Sequence, residues 1–444
     1  MDSGYVFLML KQVKIFPIHS VDGSVDLSGS KSISNRVLLL ASLAQGSTRI
    51  TRLLLSDDTQ HMLNALSSLG VSYELDQVKQ TCTIQGVSGR FSSPLEPLFL
   101  GNAGTAMRPL TAILSCIEGD FELVGEPRME ERPISDLVEA LTSLGAQITY
   151  LKQEGYPPLR IQGRALSGRE VHISGALSSQ YISALLMMAP LMPDGLVVHI
   201  TGELVSRPYV EMTIALMRRF GVQVDQVHPY KFEIPAGQSY RAVDTFMIEG
   251  DASTASYFLA AAAICGGEVE VRGVGRKSIQ GELESVRVLE QMGASISFLD
   301  ESVICRRAQP LKAVHIDATH YPDTAMTLAV VALFATGTTR IEGIYNWRLK
   351  ETDRLTAMRI ELSKLGATVV EGEDFIEITP PKIWQYATIE TYQDHRMAMC
   401  FSLASLSTQG VSILDPLCVK KTCPNYFEIW SRLTSTQLEF KCIP

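Results

Sequence analysis

One short pattern recurs five times along the chain at nearly constant intervals. A helical stretch ends at a glycine and runs at once into alternating, strand-like residues. The copies are residues 62–69 before Gly70 and 71–75 after it, 137–144 with Gly145 and 146–150, 213–220 with Gly221 and 222–224, 288–292 with Gly293 and 294–298, and 358–365 with Gly366 and 367–370. The glycines lie 75, 76, 72 and 73 residues apart. Each sits where a left-handed C-cap belongs, and the apolar period changes from helical to two after it. Taken singly, helix–Gly–strand is a generic α/β connection. Five at near-equal spacing mark one repeated unit, longer than the usual solenoid repeat.

Between these copies runs a second, more apolar helix type, opened by small or polar residues. Its starts are Ser30-Lys31-Ser32-Ile33-Ser34-Asn35-Arg36, the segment from Gly101 to Pro109, Ser178-Ser179-Gln180-Tyr181, Gly250-Asp251-Ala252-Ser253-Thr254, Pro322-Asp323-Thr324-Ala325 and Tyr392-Gln393-Asp394-His395-Arg396. Helix bodies such as 257–263 and 328–334 are apolar nearly all round and are expected to be buried. A buried helix with a polar start aims its N-terminus at something polar, and six such starts can converge on one site. Six units of about 72 residues use almost the whole chain. The expectation is two domains of three units, each packing sheets over buried helices.

The segment Gly101-Asn102-Ala103-Gly104-Thr105-Ala106-Met107-Arg108-Pro109 precedes an apolar helix expected over 110–117. Its glycines let backbone N–H groups approach a ligand, and the helix dipole adds partial positive charge, so it reads as an anion-binding helix start. The same letters also make an ordinary capped turn.

A chain of 444 residues with 46% hydrophobic content can bury large cores. Its formal net charge of −9 argues against a nucleic-acid-binding surface as its main business. An acidic chain that binds anions must therefore gather its Lys and Arg locally. The eight cysteines are scattered without a Cys-x-x-Cys, as expected of free thiols in a reducing cytosol, so the protein is expected to be cytoplasmic. The apolar patch at residues 5–10 lacks a basic region before it and a small-residue cleavage site, which argues against a signal peptide. The longest apolar runs, 182–192 and 326–335, fall short of the roughly 20 residues that span a bilayer, and no membrane partner is expected.

Several cofactor motifs fail on inspection. Gly273-x-Gly275 continues into Arg276-Lys277-Ser278 without its third glycine, and Gly29-Ser30-Lys31-Ser32 lacks the upstream glycine spacing of a P-loop. His315 and His320 lack partners at metal-like spacing. The expected chemistry needs no metal, flavin or nucleotide cofactor.

Charge gathers at predicted element ends. Arg128 and Arg132 sit in a proline-bounded loop, and Lys350 and Arg354 are spaced i,i+4, which would share one helix face if helical. Asp394-His395-Arg396 opens a helix, and Lys420-Lys421 precede Thr422. Each alone suits a solvated, salt-bridged surface. Their coincidence with helix ends points to a cleft, and arginine's planar fork of donors suits carboxylate and phosphate.

Together, the segments 30–36, 101–109, 126–133, 345–354 and 394–397 resemble the 5-enolpyruvylshikimate-3-phosphate synthase family, with similarity over about residues 17–430. The Gly101–Pro109 variety is similar to the glyphosate-sensitive bacterial and plant class, with glyphosate as the implied inhibitor. The resemblance implies an α/β fold of the α+β kind: a two-domain inside-out α/β barrel of six β-α-β-α-β-β units, three per domain around pseudo-threefold axes. It places one domain at 1–29 plus 249–444 and the other at 30–248, with the active site in the inter-domain cleft. The implied reaction transfers the enolpyruvyl group of phosphoenolpyruvate to the 5-hydroxyl of shikimate 3-phosphate by addition–elimination, releasing phosphate, on the route to chorismate and aromatic amino acids. The protein is expected to act as a monomer on these two small molecules.

By the same resemblance, Lys31, Ser32, Arg36, Ser178, Ser179, Gln180, Ser206, Tyr209, Asp323, Asn346 and Lys350 meet shikimate 3-phosphate. Lys31, Asn102, Gly104, Arg132, Gln180, Arg354, His395, Arg396 and Lys421 meet phosphoenolpyruvate, Arg132 and Lys421 at its phosphate and Arg354 and Arg396 at its carboxylate. Asp323 is the implied base, and Glu351 and Lys31 are both candidates for the acid at C3. Glu351 in that role needs burial or substrate charge to keep its proton among cations. Glu130 stands where Lys is frequent, Gln393 where Asn is usual, and Cys423 where an aromatic is frequent. Lys420 beside Lys421 leaves that assignment ambiguous by one residue, and the first ten or so residues extend past the family's usual start as an expected tail.

Two other functions compete. A sister enzyme transfers enolpyruvyl to a UDP-linked amino sugar and typically uses a loop cysteine as acid; the loop Arg128–Arg132 offers none. A non-catalytic anion-binding repeat protein would gain nothing from Asp323 and Glu351 in a basic site.

Overall fold

Twelve α-helices alternate in character along residues 10–442, the part of the chain that the computed structural model describes. They are α1 (Lys31–Leu43), α2 (Asp57–Ser68), α3 (Gly104–Ser115), α4 (Ser135–Ser143), α5 (Ser179–Met188), α6 (Arg207–Arg219), α7 (Ala252–Cys265), α8 (Arg287–Met292), α9 (Pro322–Val331), α10 (Arg354–Lys364), α11 (His395–Phe401) and α12 (Tyr426–Thr434). The odd-numbered helices are the apolar, polar-started type, and all six are buried almost end to end. The even-numbered ones are amphipathic. Thus α6 buries Val210, Met212, Ile214, Leu216 and Met217 and leaves Arg218 and Arg219 exposed.

Five even helices stop at the glycines of the repeat. Gly70, Gly145, Gly221, Gly293 and Gly366 have φ between 81° and 124°, the left-handed region that a Cβ disfavours. The sixth, α12, stops at Ser435 with φ of 50°, so the last copy of the repeat carries no glycine to announce it.

Six four-stranded sheets share one order: the first strand lies parallel to the second, the second antiparallel to the fourth, and the fourth antiparallel to the third. In the plainest case Leu98–Phe99 leads through α3 to its parallel neighbour Gly119–Val124. The chain then runs through α4 into the hairpin of Gln147–Tyr150 and Leu159–Gly163, whose second strand pairs with Gly119–Val124. A parallel pair needs a crossover, which the odd helix supplies, so one repeat reads β-α-β-α-β-β.

Three repeats are completed by strands from elsewhere in the chain. Gly23–Asp26 pairs in parallel with Glu268–Arg272 although more than 220 residues intervene. Thr245–Met247 pairs in parallel with the end of Gln45–Thr51. Leu10–Ile15 is the fourth strand of the last repeat, between Val411–Leu414 and Leu438–Cys442. The result is two units. A terminal unit comprises the stretch ending at Leu27, Gly250–Ser278 and the stretch from Glu282 onward; a central unit comprises Ser28–Glu249 with Ile279–Gly281. The core of the central unit is built on α1, α3 and α5, through residues such as Leu38, Leu110 and Ile182. That of the terminal unit is built on α7, α9 and α11, through Phe258, Met326 and Phe401.

One helix begins earlier than expected. Rather than spanning 110–117, α3 starts at Gly104 and carries Pro109 in its second turn. The Ala106 and Met107 N–H groups both donate to the Ala103 carbonyl, which sets the start ahead of the proline. The expected N-terminal tail lies outside the described residues, except that residue 10 opens the first strand.

Candidate active site

The repeat places a chosen side chain at the same point six times. The second residue of each odd helix is Ser32, Thr105 and Gln180 in the central unit and Ser253, Asp323 and Arg396 in the terminal unit. In α1, α3, α5 and α9 it is the one residue of the helix that is not fully buried. First-turn N–H groups have no intrahelical acceptor, so each of these side chains stands beside a partial positive charge.

In the central unit four cations are buried around these starts: Lys31, Arg36, Arg108 and Arg132, none more than 8% exposed. An acidic chain does gather positive charge here. Lys31 pairs with the buried Asp58 at 3.4 Å. Several further bonds of these cations run to neutral oxygens. Arg36 donates to the Thr213 hydroxyl at 2.8 Å and the Ser32 carbonyl at 3.0 Å. Arg108 donates to the Pro133 carbonyl at 3.1 Å, and Arg132 to the Asn102 side chain at 2.9 Å and its carbonyl at 3.2 Å.

Gly104 lies where these groups meet. A Cβ there would stand 2.8 Å from Arg108 Nη1 and 3.0 Å from both Arg132 Nη2 and Gln180 Oε1. Its bare backbone keeps that space open. Next to it, Ser178 caps α5 by accepting from the Gln180 N–H, and Ser179 is buried. Ser206 opens α6 in a left-handed conformation three residues before Tyr209. The Thr213 hydroxyl donates to Ser183 Oγ at 3.0 Å, tying α6 to α5.

Of the two loop arginines only Arg132 turns inward. Arg128 is partly exposed and pairs with Glu131 at 2.6 Å. The unusual Glu130 pairs with Lys152 at 2.7 Å, so its charge has a neighbouring cation of its own.

In the terminal unit Arg354, 1% exposed, joins three carboxylates. It donates to Asp394 at 2.7 Å, Asp323 at 2.8 Å and Glu351 at 3.0 Å. Arg396 reaches the other Asp323 oxygen at 3.0 Å, Lys350 lies 3.5 Å from Asp323, and Lys421 lies 3.5 Å from Glu351. Burial opposes charge on Asp323, but Arg396, Lys350 and Arg354 outweigh it and hold the carboxyl well below the usual carboxylate range. Arg354 is held even more firmly charged: burial works against it, and Asp394, Glu351 and Asp323 more than offset that. Asp394 also caps α11 through the Arg396 N–H, and the buried His395 places Nδ1 3.5 Å from it. Asn346 is buried in the short 3₁₀ turn before Lys350.

Lys350 and Arg354 do not share a helix face as their spacing allowed. Asp353 accepts the Thr356 N–H and starts α10 after itself, leaving Lys350 in the preceding turn. Both cations nonetheless reach Asp323. Lys421 faces Glu351 at 3.5 Å, while Lys420 is exposed.

Two residues beyond those expected contact the expected set, Asp394 through Arg354 and Asp58 through Lys31; two more lie alongside, Arg108 beside Gly104 and Asn35, which donates to Thr105 Oγ1 at 2.6 Å. Two carried a signal in the sequence. Asp394 stands at an N-cap, and Arg108 lies one helical turn from Gly104 once α3 is given its true start. Asp58 carried none beyond being an acid at the start of a helix.

A model of the EPSP synthase (3-phosphoshikimate 1-carboxyvinyltransferase) family matches residues 15–430. The 3-phosphoshikimate 1-carboxyvinyltransferase of Pseudoalteromonas translucida is 54% identical over 420 residues, 95% of this chain and 99% of that one. The protein of the same name from Vibrio cholerae is 56% identical over 427 residues, 96% of this chain and 100% of that one. Among solved structures, EPSP synthase from Acinetobacter baumannii superposes with a TM-score of 0.82 at 27% identity, covering 97% of this chain and 100% of that one. The enolpyruvyl transferase NikO from Streptomyces tendae reaches a TM-score of 0.76 at 15% identity over 98% of this chain and 100% of that one, a likeness of fold alone.

Proposed function

The chain belongs to the EPSP synthase (3-phosphoshikimate 1-carboxyvinyltransferase) family, and from that premise we propose which of its residues carry the reaction. The activity is transfer of the enolpyruvyl group of phosphoenolpyruvate to the 5-hydroxyl of shikimate 3-phosphate, with release of phosphate. Ser178, Ser179 and Ser206 take the shikimate phosphate, and Ser32, Arg36, Gln180 and Tyr209 surround the ring with Asn346 and Lys350. Arg132, Lys31 and Lys421 take the phosphate of phosphoenolpyruvate beside Asn102 and Gly104, while Arg354, Arg396 and His395 take its carboxylate end.

The observation that carries the chemistry is the cation-bound Asp323 at the start of α9. Held as it is, that carboxylate is a poor base. A phosphoenolpyruvate carboxylate competing for Arg354 and Arg396 loosens their hold, which raises the basicity of Asp323 as the second substrate arrives. Asp323 then takes the proton of the 5-hydroxyl as its oxygen bonds to C2. The acid, Glu351 or Lys31, delivers a proton to C3. The tetrahedral intermediate loses phosphate as a proton leaves C3 and the double bond returns.

The direct test is phosphate release from phosphoenolpyruvate with shikimate 3-phosphate, run beside UDP-N-acetylglucosamine. Release only with the shikimate ester is expected. Release only with the UDP sugar would move the chain to the sister activity, and none with either would remove the enzyme reading. For the acid, Glu351→Gln is expected to lower turnover about 10²-fold with little change in KM. Near-normal turnover would leave Lys31 as the donor.

Gly104 gives a further prediction. The added methyl of Gly104→Ala crowds Arg108, Arg132 and Gln180, and is expected to raise the KM for phosphoenolpyruvate about tenfold. Glyphosate, proposed to compete for the same space, should inhibit this variant less. Coinciding inhibition curves for the two proteins would place Gly104 outside the pocket. We further propose a monomer working in the cytoplasm, without nucleic-acid or membrane partners. Among the described residues no helix is long and apolar enough to cross a membrane.

A further inference from the structure

We propose that Tyr392 is a positioning residue: its hydroxyl, bonded to the buried Glu361 carboxylate, holds a strained turn that aims the start of α11 and, with it, Asp394 and Arg396. The functional part of this claim rests on the assignment of Arg396 to phosphoenolpyruvate.

Tyr392 and Gln393 have φ of 52° and 57°, the one adjacent pair of left-handed non-glycine residues among those described. Neither is Asn, the non-glycine residue that best tolerates this backbone, and an aromatic side chain is a poor occupant. A turn of this kind persists only where its surroundings enforce it. Directly after it come Asp394, which receives Arg354, and Arg396, which reaches Asp323. Any relaxation at 392–393 therefore moves both.

One helix grips the turn at two points. Arg354 is the first residue of α10 and binds Asp394, just after the left-handed pair. Glu361 lies seven residues on, two turns along the same face of α10. It is fully buried and accepts from the Tyr392 hydroxyl at 2.9 Å, the first residue of the pair. The remaining bonds to Glu361 come from the Glu390 N–H at 3.2 Å and the Lys364 ammonium at 2.7 Å. The carboxylate is thus well supplied without Tyr392, whereas the turn depends on it. Burial, together with the Glu361 bond, raises the phenol's pKa, so it remains a donor across the working pH range. The Gln393 side chain is exposed, and exchanging it changes backbone preference without touching the core.

The experiment uses the full-length enzyme and four variants: Tyr392→Phe, Gln393→Asn, the double variant and Arg396→Gln. Losing one hydrogen bond to a charged group is expected to lower kcat/KM for phosphoenolpyruvate about tenfold in Tyr392→Phe, mainly through KM. The KM for shikimate 3-phosphate should move less than twofold by the same reasoning. Amide exchange at 394–397 should quicken in Tyr392→Phe. Gln393→Asn alone should change little, but in the double variant it should restore most of the lost affinity and slow exchange again. Unchanged exchange in Tyr392→Phe would overturn the proposal, as would a loss that Gln393→Asn fails to repair. If Arg396→Gln leaves the phosphoenolpyruvate KM unmoved, the site assignment fails instead, and the exchange data still decide on the turn.

Discussion

Asp323→Asn is expected to lower turnover by about 10³–10⁴-fold, with the KM of each substrate changed only severalfold. An amide cannot accept the proton of the 5-hydroxyl, and it also gives up one side of the ion pairs that orient Arg396, Lys350 and Arg354. Both losses act on the same step, which is why the effect should exceed that of Glu351→Gln. The variant should also reveal itself in acid. Because the Asp323 carboxyl is held well below its unfolded value, its ionised form stabilises the fold at every pH above about 4, and that contribution fades as pH falls further toward the folded pKa. The stability gap between wild type and Asp323→Asn should therefore be constant from neutrality to about pH 5 and shrink below about pH 4. Single-turnover quench experiments supply the rate. A decrease of less than tenfold would assign the base to another group, whatever the stability data show.

The sequence made much of the fold legible because the repeat is enforced by local chemistry. A helix that must turn sharply into a strand needs a left-handed residue, and five glycines recorded that need. At α12 the same turn is made by Ser435, so a rule based on glycine finds five copies where six exist. Strand pairing is another matter. Nothing in the letters of Gly23–Asp26 says that its neighbour is Glu268–Arg272, since alternation reports which face is buried and not which strand lies alongside. Only resemblance to a known family supplied that topology.

The site divides in the same way. Polar starts on apolar helices were visible, but the equivalence of Ser32, Thr105, Gln180, Ser253, Asp323 and Arg396 depends on where each helix begins, and α3 begins six residues earlier than its apolar run suggested. Loop charges carried still less information. Arg128 and Arg132 look alike in a loop without a period, and only packing turns one inward and pairs the other with Glu131.

Arg354→Met tests how far the terminal unit depends on its buried ion network. The guanidinium is 1% exposed and shared by Asp394, Asp323 and Glu351, so methionine, of similar length, would leave three carboxylates without their common partner. Removing one side of a buried ion pair typically costs about 3–5 kcal/mol, and that loss is expected here. The three tryptophans, Trp347, Trp384 and Trp430, all belong to the terminal unit, so their fluorescence in urea follows that unit alone. Wild type loses its own Asp323 contribution only below about pH 4, so the deficit should hold steady from pH 7 to about 5 and narrow below about 4. Arg354→Lys keeps the charge but cannot fork to three carboxylates, and should fall between the two. If Arg354→Met unfolds within about 0.5 kcal/mol of wild type, the network's desolvation cost has cancelled its attraction, and Arg354 is retained for the substrate rather than for the fold.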